Sequence, residues 1–204
     1  MNPVTDKLTY AIIPGIGEGQ LIARRMRLAL RAAGLTEAHP SQADVLVTHS
    51  GGVYVMPRDG QATYFVHINV THCMPYRQLL AAHRRKVRYD LHARWQRGGM
   101  TQLARGILAG LANVYYLTNL QRGLQMRRGF LRSSDFLATL PAGSHLFICG
   151  INDGLSDATA VMKEAGSGHA FLSIKAGHDD CWRDPQPYVK AILTHCATHS
   201  PQKD

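Results

Sequence analysis

Cysteine is scarce in this 204-residue chain, and none of its four copies is spaced like a metal or disulfide pair. Cys73, Cys149, Cys181 and Cys196 stand far apart, and Cys149 lies inside an apolar run. That excludes a zinc ribbon or a disulfide framework and makes a reducing, cytoplasmic compartment the simplest expectation. Long apolar runs are missing too. The longest stretch free of both charged residues and histidine, Gly106 to Gln121, is too short and too polar for a membrane span, and the start MNPVTDKL lacks a basic-then-apolar leader pattern. Charged residues make up only 18% against 45% apolar, which excludes wholesale disorder and leaves enough apolar mass for a core.

Acidic residues are almost absent from one internal segment. Between Arg77 and Arg132 there are twelve Lys/Arg and a single acid, Asp90, whereas the net charge of the whole chain is only +9. Practically all the excess charge therefore belongs to this block. Such a block suits a solvated helical face, an anionic substrate, an anionic membrane surface or nucleic acid, and charge alone does not choose among them.

Apolar runs bounded by turn residues place buried strands at Leu8–Ile13, Val45–Thr48, Thr63–Val70, Leu146–Cys149 and Ala170–Ile174. Leu35–Glu37 makes a further, very short one. Between the first strand and Gly34 the spacing of Ile22, Met26, Ala29 and Ala33 predicts a helix over about Glu18–Ala33. A last helix is expected over about Tyr188–Cys196. Strands alternating with helices predict an α/β fold with a mainly parallel sheet flanked by helices. The stretch Tyr76 to about Arg132 interrupts that rhythm with helices alone, the first bearing Leu80, Val87 and Leu91, the second Leu103, Ile107, Leu111 and Val114. This reads as an inserted helical cap over residues 75–132, with a core built from residues 1–74 and 133–204.

In open parallel sheets, function gathers at the carboxyl ends of the strands. Ser50, Asp153 and His178 stand at three such ends with complementary chemistry. A serine is a poor nucleophile at neutral pH unless a base lies within reach and a third group holds that base. Gly51 and Gly52 suit the sharp turn that would lift Ser50 out of the sheet.

The run Val45-Leu46-Val47-Thr48-His49-Ser50-Gly51-Gly52 resembles the nucleophile elbow of the α/β-hydrolase superfamily. Gly150-Ile151-Asn152-Asp153 resembles its acid-bearing loop, Gly177-His178-Asp179-Asp180 its histidine loop, and Pro14-Gly15-Ile16-Gly17 sits where the family places its oxyanion loop. The order Ser, Asp, His and the position of the helical insertion match as well. Two departures stand out. Thr48 replaces the usual first glycine of the elbow, where its side chain would crowd the helix behind the turn, and the family's first hairpin would be absent, leaving a small sheet. The resemblance implies Ser50 as nucleophile, His178 as base and then acid, and Asp153 as its orienting carboxylate. It also implies an oxyanion hole from the N–H of Gly51 and one of Gly15, Ile16 or Gly17, with Ile16 preferred. The implied reaction is hydrolysis of a carboxylic ester through an acyl-serine, on a small acyl substrate favoured by negative charge, with no cofactor and no metal.

Competing residues are weighed on position. Asp157 shares a loop with Asp153 but lies farther from the strand end. His169 precedes its strand and would lie at the wrong edge, and His49 is expected to pack against a neighbouring loop. Gly15-Ile16-Gly17-Glu18-Gly19 lacks both the third glycine of a dinucleotide fingerprint and the Gly-Lys-Ser/Thr end of a phosphate loop. His195 and His199, or His67 and His72, lack a third spaced metal ligand. The alternative to an enzyme is a non-catalytic protein of the same fold that holds nucleic acid or a membrane surface through the basic segment.

Overall fold

The structure, a computed structural model, describes residues 8–15, 22–112 and 120–199. Among them, six parallel strands form one sheet in the order β2-β1-β3-β4-β5-β6. In chain order these are β1 (Thr9–Ile13), β2 (Thr36–Glu37), β3 (Val45–His49), β4 (Tyr64–Ile68), β5 (Ser144–Gly150) and β6 (Ala170–Ile174). The four inner strands are β-branched and aromatic runs buried on both faces, as a sheet covered on both sides requires. β6 is half open to solvent, in keeping with an edge position.

One face carries a core of Tyr10, Val45, Val47, Val66 and Ile148, covered by α1 (Arg24–Ala32), α6 (Asp180–Arg183) and α7 (Gln186–Thr198). The other buries Leu46, Phe65 and Phe147 under Val53, Leu137 and Val161. Those three belong to a 3₁₀ helix (Ser50–Val55), to α4 (Ser133–Leu137) and to α5 (Ala158–Ala165). Burying side chains of this size stabilises by about 1.5–3 kcal/mol each before the entropy of ordering the chain is subtracted.

The turn after β3 was expected to lead into an ordinary helix, but it leads into six residues of 3₁₀ helix. Pro57 explains the early stop, because the residue before a proline is pushed to extended angles, and Met56 sits at φ −69°, ψ 146°. The first helix begins at Arg24, inside its expected span, of which residues 18–21 lie outside the described residues.

Among the described residues, the elements between β4 and β5 are all helices: α2 (Tyr76–Ala112), α3 (Leu120–Leu131) and α4. α2 is broken at Gly98 and Gly99, and Gly99 takes φ +54°, where a side chain is strained. The first part of α2 does not meet the sheet domain through its leucine stripe. It docks through Ala82, Lys86, Tyr89 and Asp90 onto the loops that follow β5 and β6. α3 packs differently, with Gly129 so close to Tyr54 of the 3₁₀ helix that an added Cβ would lie 2.4 Å from its side chain. No described helix is long and apolar enough to cross a membrane.

Candidate active site

Every loop expected to carry chemistry follows the carboxyl end of a strand. Ser50 directly follows β3 and holds φ +51°, a left-handed conformation that few non-glycine residues adopt. Residues held this way cluster at functional turns, where the surrounding structure must enforce them. Here Gly52 allows the enforcement: a Cβ on it would lie 2.3 Å from the Ile13 carbonyl oxygen, so the turn presses against the end of β1.

His178 is buried in the loop after β6, and its Nδ1–H donates to Asp153 Oδ2 at 2.7 Å. The Asp153 carboxylate is fully enclosed, and its other oxygen accepts from the Leu155 N–H at 2.8 Å. This tautomer leaves the His178 Nε2 lone pair free to accept a proton. Asp157, the alternative acid, caps α5 instead, accepting from the N–H groups of Thr159 (2.8 Å) and Ala160 (3.1 Å).

The Ser50 hydroxyl shares a hydrogen bond with Thr71 Oγ1 at 2.9 Å and makes none to His178. Tyr54 fixes this partner by donating its O–H to the Thr71 carbonyl at 2.5 Å. The structure thus pairs Asp153 with His178, while Ser50 is held by the loop after β4. Of the expected oxyanion donors, Gly51 is the second residue of the 3₁₀ helix and Gly15 is buried just past β1. Ile16 and Gly17 lie outside the described residues.

Asn69 was not singled out from the sequence, yet it ties these loops together. Its Nδ2 donates to the carbonyls of Gly177 (3.2 Å) and His178 (2.7 Å), and its Oδ1 accepts from Gly150 N at 2.8 Å. It sits at φ +50° at the end of β4, a conformation asparagine tolerates better than most residues. An asparagine inside the expected strand Thr63–Val70, which in the structure ends at Ile68, was the available signal. His49 adds to the clamp, donating from Nε2 to the same His178 carbonyl at 2.8 Å and packing edge-on against Trp182.

Thr48 does not crowd the helix behind the turn. Its hydroxyl turns to the neighbouring strand and meets His67 Nδ1 at 2.9 Å. His67 Nε2 reaches His145 Nδ1 at 3.0 Å, and His145 Nε2–H donates to the Pro141 carbonyl at 2.8 Å. One tautomer set satisfies the whole chain, with the threonine as first donor and both imidazoles neutral. Burial pushes both histidines down, His145 to about 4, and the neighbouring imidazoles push the same way. His169 packs edge-on against His145 beyond them, at the start of β6 and so at the opposite strand end from Ser50.

The electrostatics of the histidine loop come from α2. Lys86 Nζ binds Asp179 Oδ2 at 2.6 Å and Asp90 Oδ2 at 3.0 Å. Arg183 bridges Asp90 (2.9 Å) and Asp180 (3.2 Å), and the Tyr89 O–H donates to Asp180 at 2.9 Å. Burial disfavours the Lys86 charge, but the two carboxylates more than offset this and raise its pKa. Asp179 is lowered in turn: burial opposes its charge, and His178, Lys86 and His49 outweigh that. Ligand atoms of His49, His178 and Asp179 lie within 4.8 Å of one another. Asp179 is already occupied by Lys86 and His49 by a carbonyl, so the donor set fits a hydrogen-bonded support better than a cation site.

A cavity of about 490 Å³ opens beside the acid-bearing loop, lined by Arg85, Cys149, Asn152, Asp153, Ser156 and Asp157. Ser50 and His178 do not line it. Burial raises the Cys149 thiol to about 11, so it stays protonated and is no nucleophile at neutral pH.

No family model matches the chain, and no curated protein does. Solved structures do. One is MGS-M2, an alpha/beta hydrolase enzyme from a Medee basin deep-sea metagenome library, with a TM-score of 0.63 at 12% identity over 96% of this chain and 90% of that one. An esterase from Thermogutta terrifontis gives 0.54 at 14% identity over 94% and 90%. The enol-lactonase from Burkholderia xenovorans LB400 gives 0.58 at 9% identity over 94% and 92%. At such identities the likeness speaks to architecture, and the chain has the α/β-hydrolase fold.

Proposed function

We propose that this chain is a serine hydrolase that cleaves a carboxylic ester, with Ser50 as nucleophile, His178 as base and acid, and Asp153 as the group that orients His178. The observation carrying this reading is the enclosed His178–Asp153 hydrogen bond, placed in the same loop cluster as a serine held at positive φ. Esterase and lactonase activity among proteins of the same fold supports the reaction class.

In the proposed cycle, Ser50 Oγ rotates from Thr71 toward His178 and gives up its proton to Nε2 as the oxygen attacks the ester carbonyl. Catalytic hydrogen bonds are often unmade before substrate binds. Asp153 stabilises the imidazolium that results. The tetrahedral oxyanion takes N–H donors from Gly51 and from the segment Gly15 to Gly17, each worth about 3–4 kcal/mol of barrier. His178 then protonates the departing alcohol. Water, activated by the same imidazole, hydrolyses the acyl-Ser50 ester. The helices over residues 75–132 act as a cap that limits access, and their arginines favour an anionic acyl group or alcohol. Arg85, which lines the cavity beside Asp153, supports that reading.

The test is hydrolysis of a short p-nitrophenyl ester with labelling by a fluorophosphonate. Ser50→Ala is expected to lose a factor of ~10⁴ or more in turnover and all labelling at that position. Undiminished hydrolysis by Ser50→Ala sinks the mechanism.

A further inference from the structure

The first part of α2 has two unlike faces. Its inner face, Ala82, Lys86, Tyr89 and Asp90, is spent on the sheet domain. Its outer face carries Leu80, Val87, Leu91 and Trp95 at i, i+7, i+11 and i+15, each between 39% and 53% exposed. That spacing stacks them in one stripe along the helix. Exposed Arg84 falls within the stripe, at i+4 from Leu80, and exposed Arg77 and Arg88 stand along one edge of it. The segment's one acid, Asp90, is turned inward onto Lys86 and Arg183, so the stripe has no carboxylate beside it from its own helix.

We infer that this outer face docks on an anionic lipid bilayer, with the aliphatic stripe entering the headgroup boundary and the arginines binding lipid phosphates. An apolar stripe with a tryptophan and long basic side chains is the composition an interfacial helix needs. Arginine stems lie along the apolar surface while their heads reach charge. Nucleic acid fits less well, because three of the four stripe residues are aliphatic and offer no ring for a base to stack on. A second copy fits less well again, since a two-fold contact between identical faces sets Arg84 and Arg88 against their own equivalents. The same helix holds the histidine loop through Lys86 and Tyr89, so docking sets the proposed site's roof against the lipid. The surface itself is independent of catalysis.

The test uses the full chain with vesicles of phosphatidylcholine alone or mixed with phosphatidylglycerol. Of the two tryptophans, Trp182 is buried, so a fluorescence blue shift reports Trp95. The expected result is a blue shift and co-sedimentation with mixed vesicles, weakened by salt and absent with phosphatidylcholine alone. Arg84→Gln with Arg88→Gln is expected to weaken partitioning about fivefold per charge, or roughly 25-fold. Leu91→Gln is expected to weaken it by about tenfold through lost apolar burial. Ser50→Ala should bind like the parent, which separates this surface from the fate of the proposed reaction. The inference is overturned by no shift with mixed vesicles, by binding that ignores all three surface substitutions, by binding to RNA alone, or by self-association that buries Trp95 without lipid.

Discussion

Lys86 of α2 and Asp179 of the histidine loop form an ion pair of 2.6 Å, one residue away from the imidazole proposed as the base. Through it, a helix distant in sequence governs the charge around His178. That ring is faced by Asp153 from the loop after β5, by His49 from β3 and by Asp179 from its own loop. Without Lys86, Asp179 loses the cation paired with it, and burial then pushes its pKa upward.

Lys86→Met is therefore expected to lower stability by about 2 kcal/mol, less than for a fully enclosed pair because both side chains keep some exposure. A urea titration of variant and parent measures the loss, and an unchanged midpoint refutes the role of the pair.

Asp153→Asn is expected to cut turnover by about three to four orders of magnitude, because the amide cannot hold His178 in its working tautomer. Asp157→Asn should leave turnover within a few-fold, since its side chain serves only the start of α5. Similar losses in the two variants, measured on one ester, would reverse the assignment.

Gly52→Ala places a Cβ 2.3 Å from the Ile13 carbonyl, which is backbone and cannot swing aside. The turn must move, so about 2–4 kcal/mol of stability should go together with most activity. A thermal midpoint within a degree of the parent would contradict the packing.

His67 and His145 are neutral in the folded chain, with values driven down by burial, whereas in the unfolded chain they take up protons near 6.5. The unfolded state thus binds more protons below that pH, so stability is complete above about 6.5 and falls as the pH drops toward 4. His145 alone accounts for about 3 kcal/mol over this window. Urea midpoints at pH 7.5 and pH 5 check the sign, and equal midpoints would mean that the pair is protonated while folded.

Much of this architecture is legible without coordinates. The runs Val45–Thr48 and Ala170–Ile174 are strands within a residue or so of their expected bounds, because continuous β-branched or apolar runs between turn residues leave little choice. The pairing of Asp153 with His178 also follows from their positions after strand ends. Asn69 was hidden because its work is done on backbone groups from two other loops, which no spacing reveals. The inward face of α2 was hidden for a similar reason: it is mostly polar, and its ion pairs reach residues more than ninety positions away.

The hydroxyl of Thr48 has a consequence for which residues can be exchanged. Because it donates into a one-way series ending at a backbone oxygen, Thr48→Gly strands the acceptor nitrogen of His67 in the dry interior, and His67→Leu strands both the hydroxyl and the acceptor nitrogen of His145. Only a joint change at positions 48, 67 and 145, glycine for the threonine with aliphatic residues for the two histidines, empties the series, and it leaves just the Pro141 carbonyl without this donor. Restoring the glycine common at such elbows is thus a three-residue exchange in this chain, and only a multiple-mutant cycle will reveal its cost.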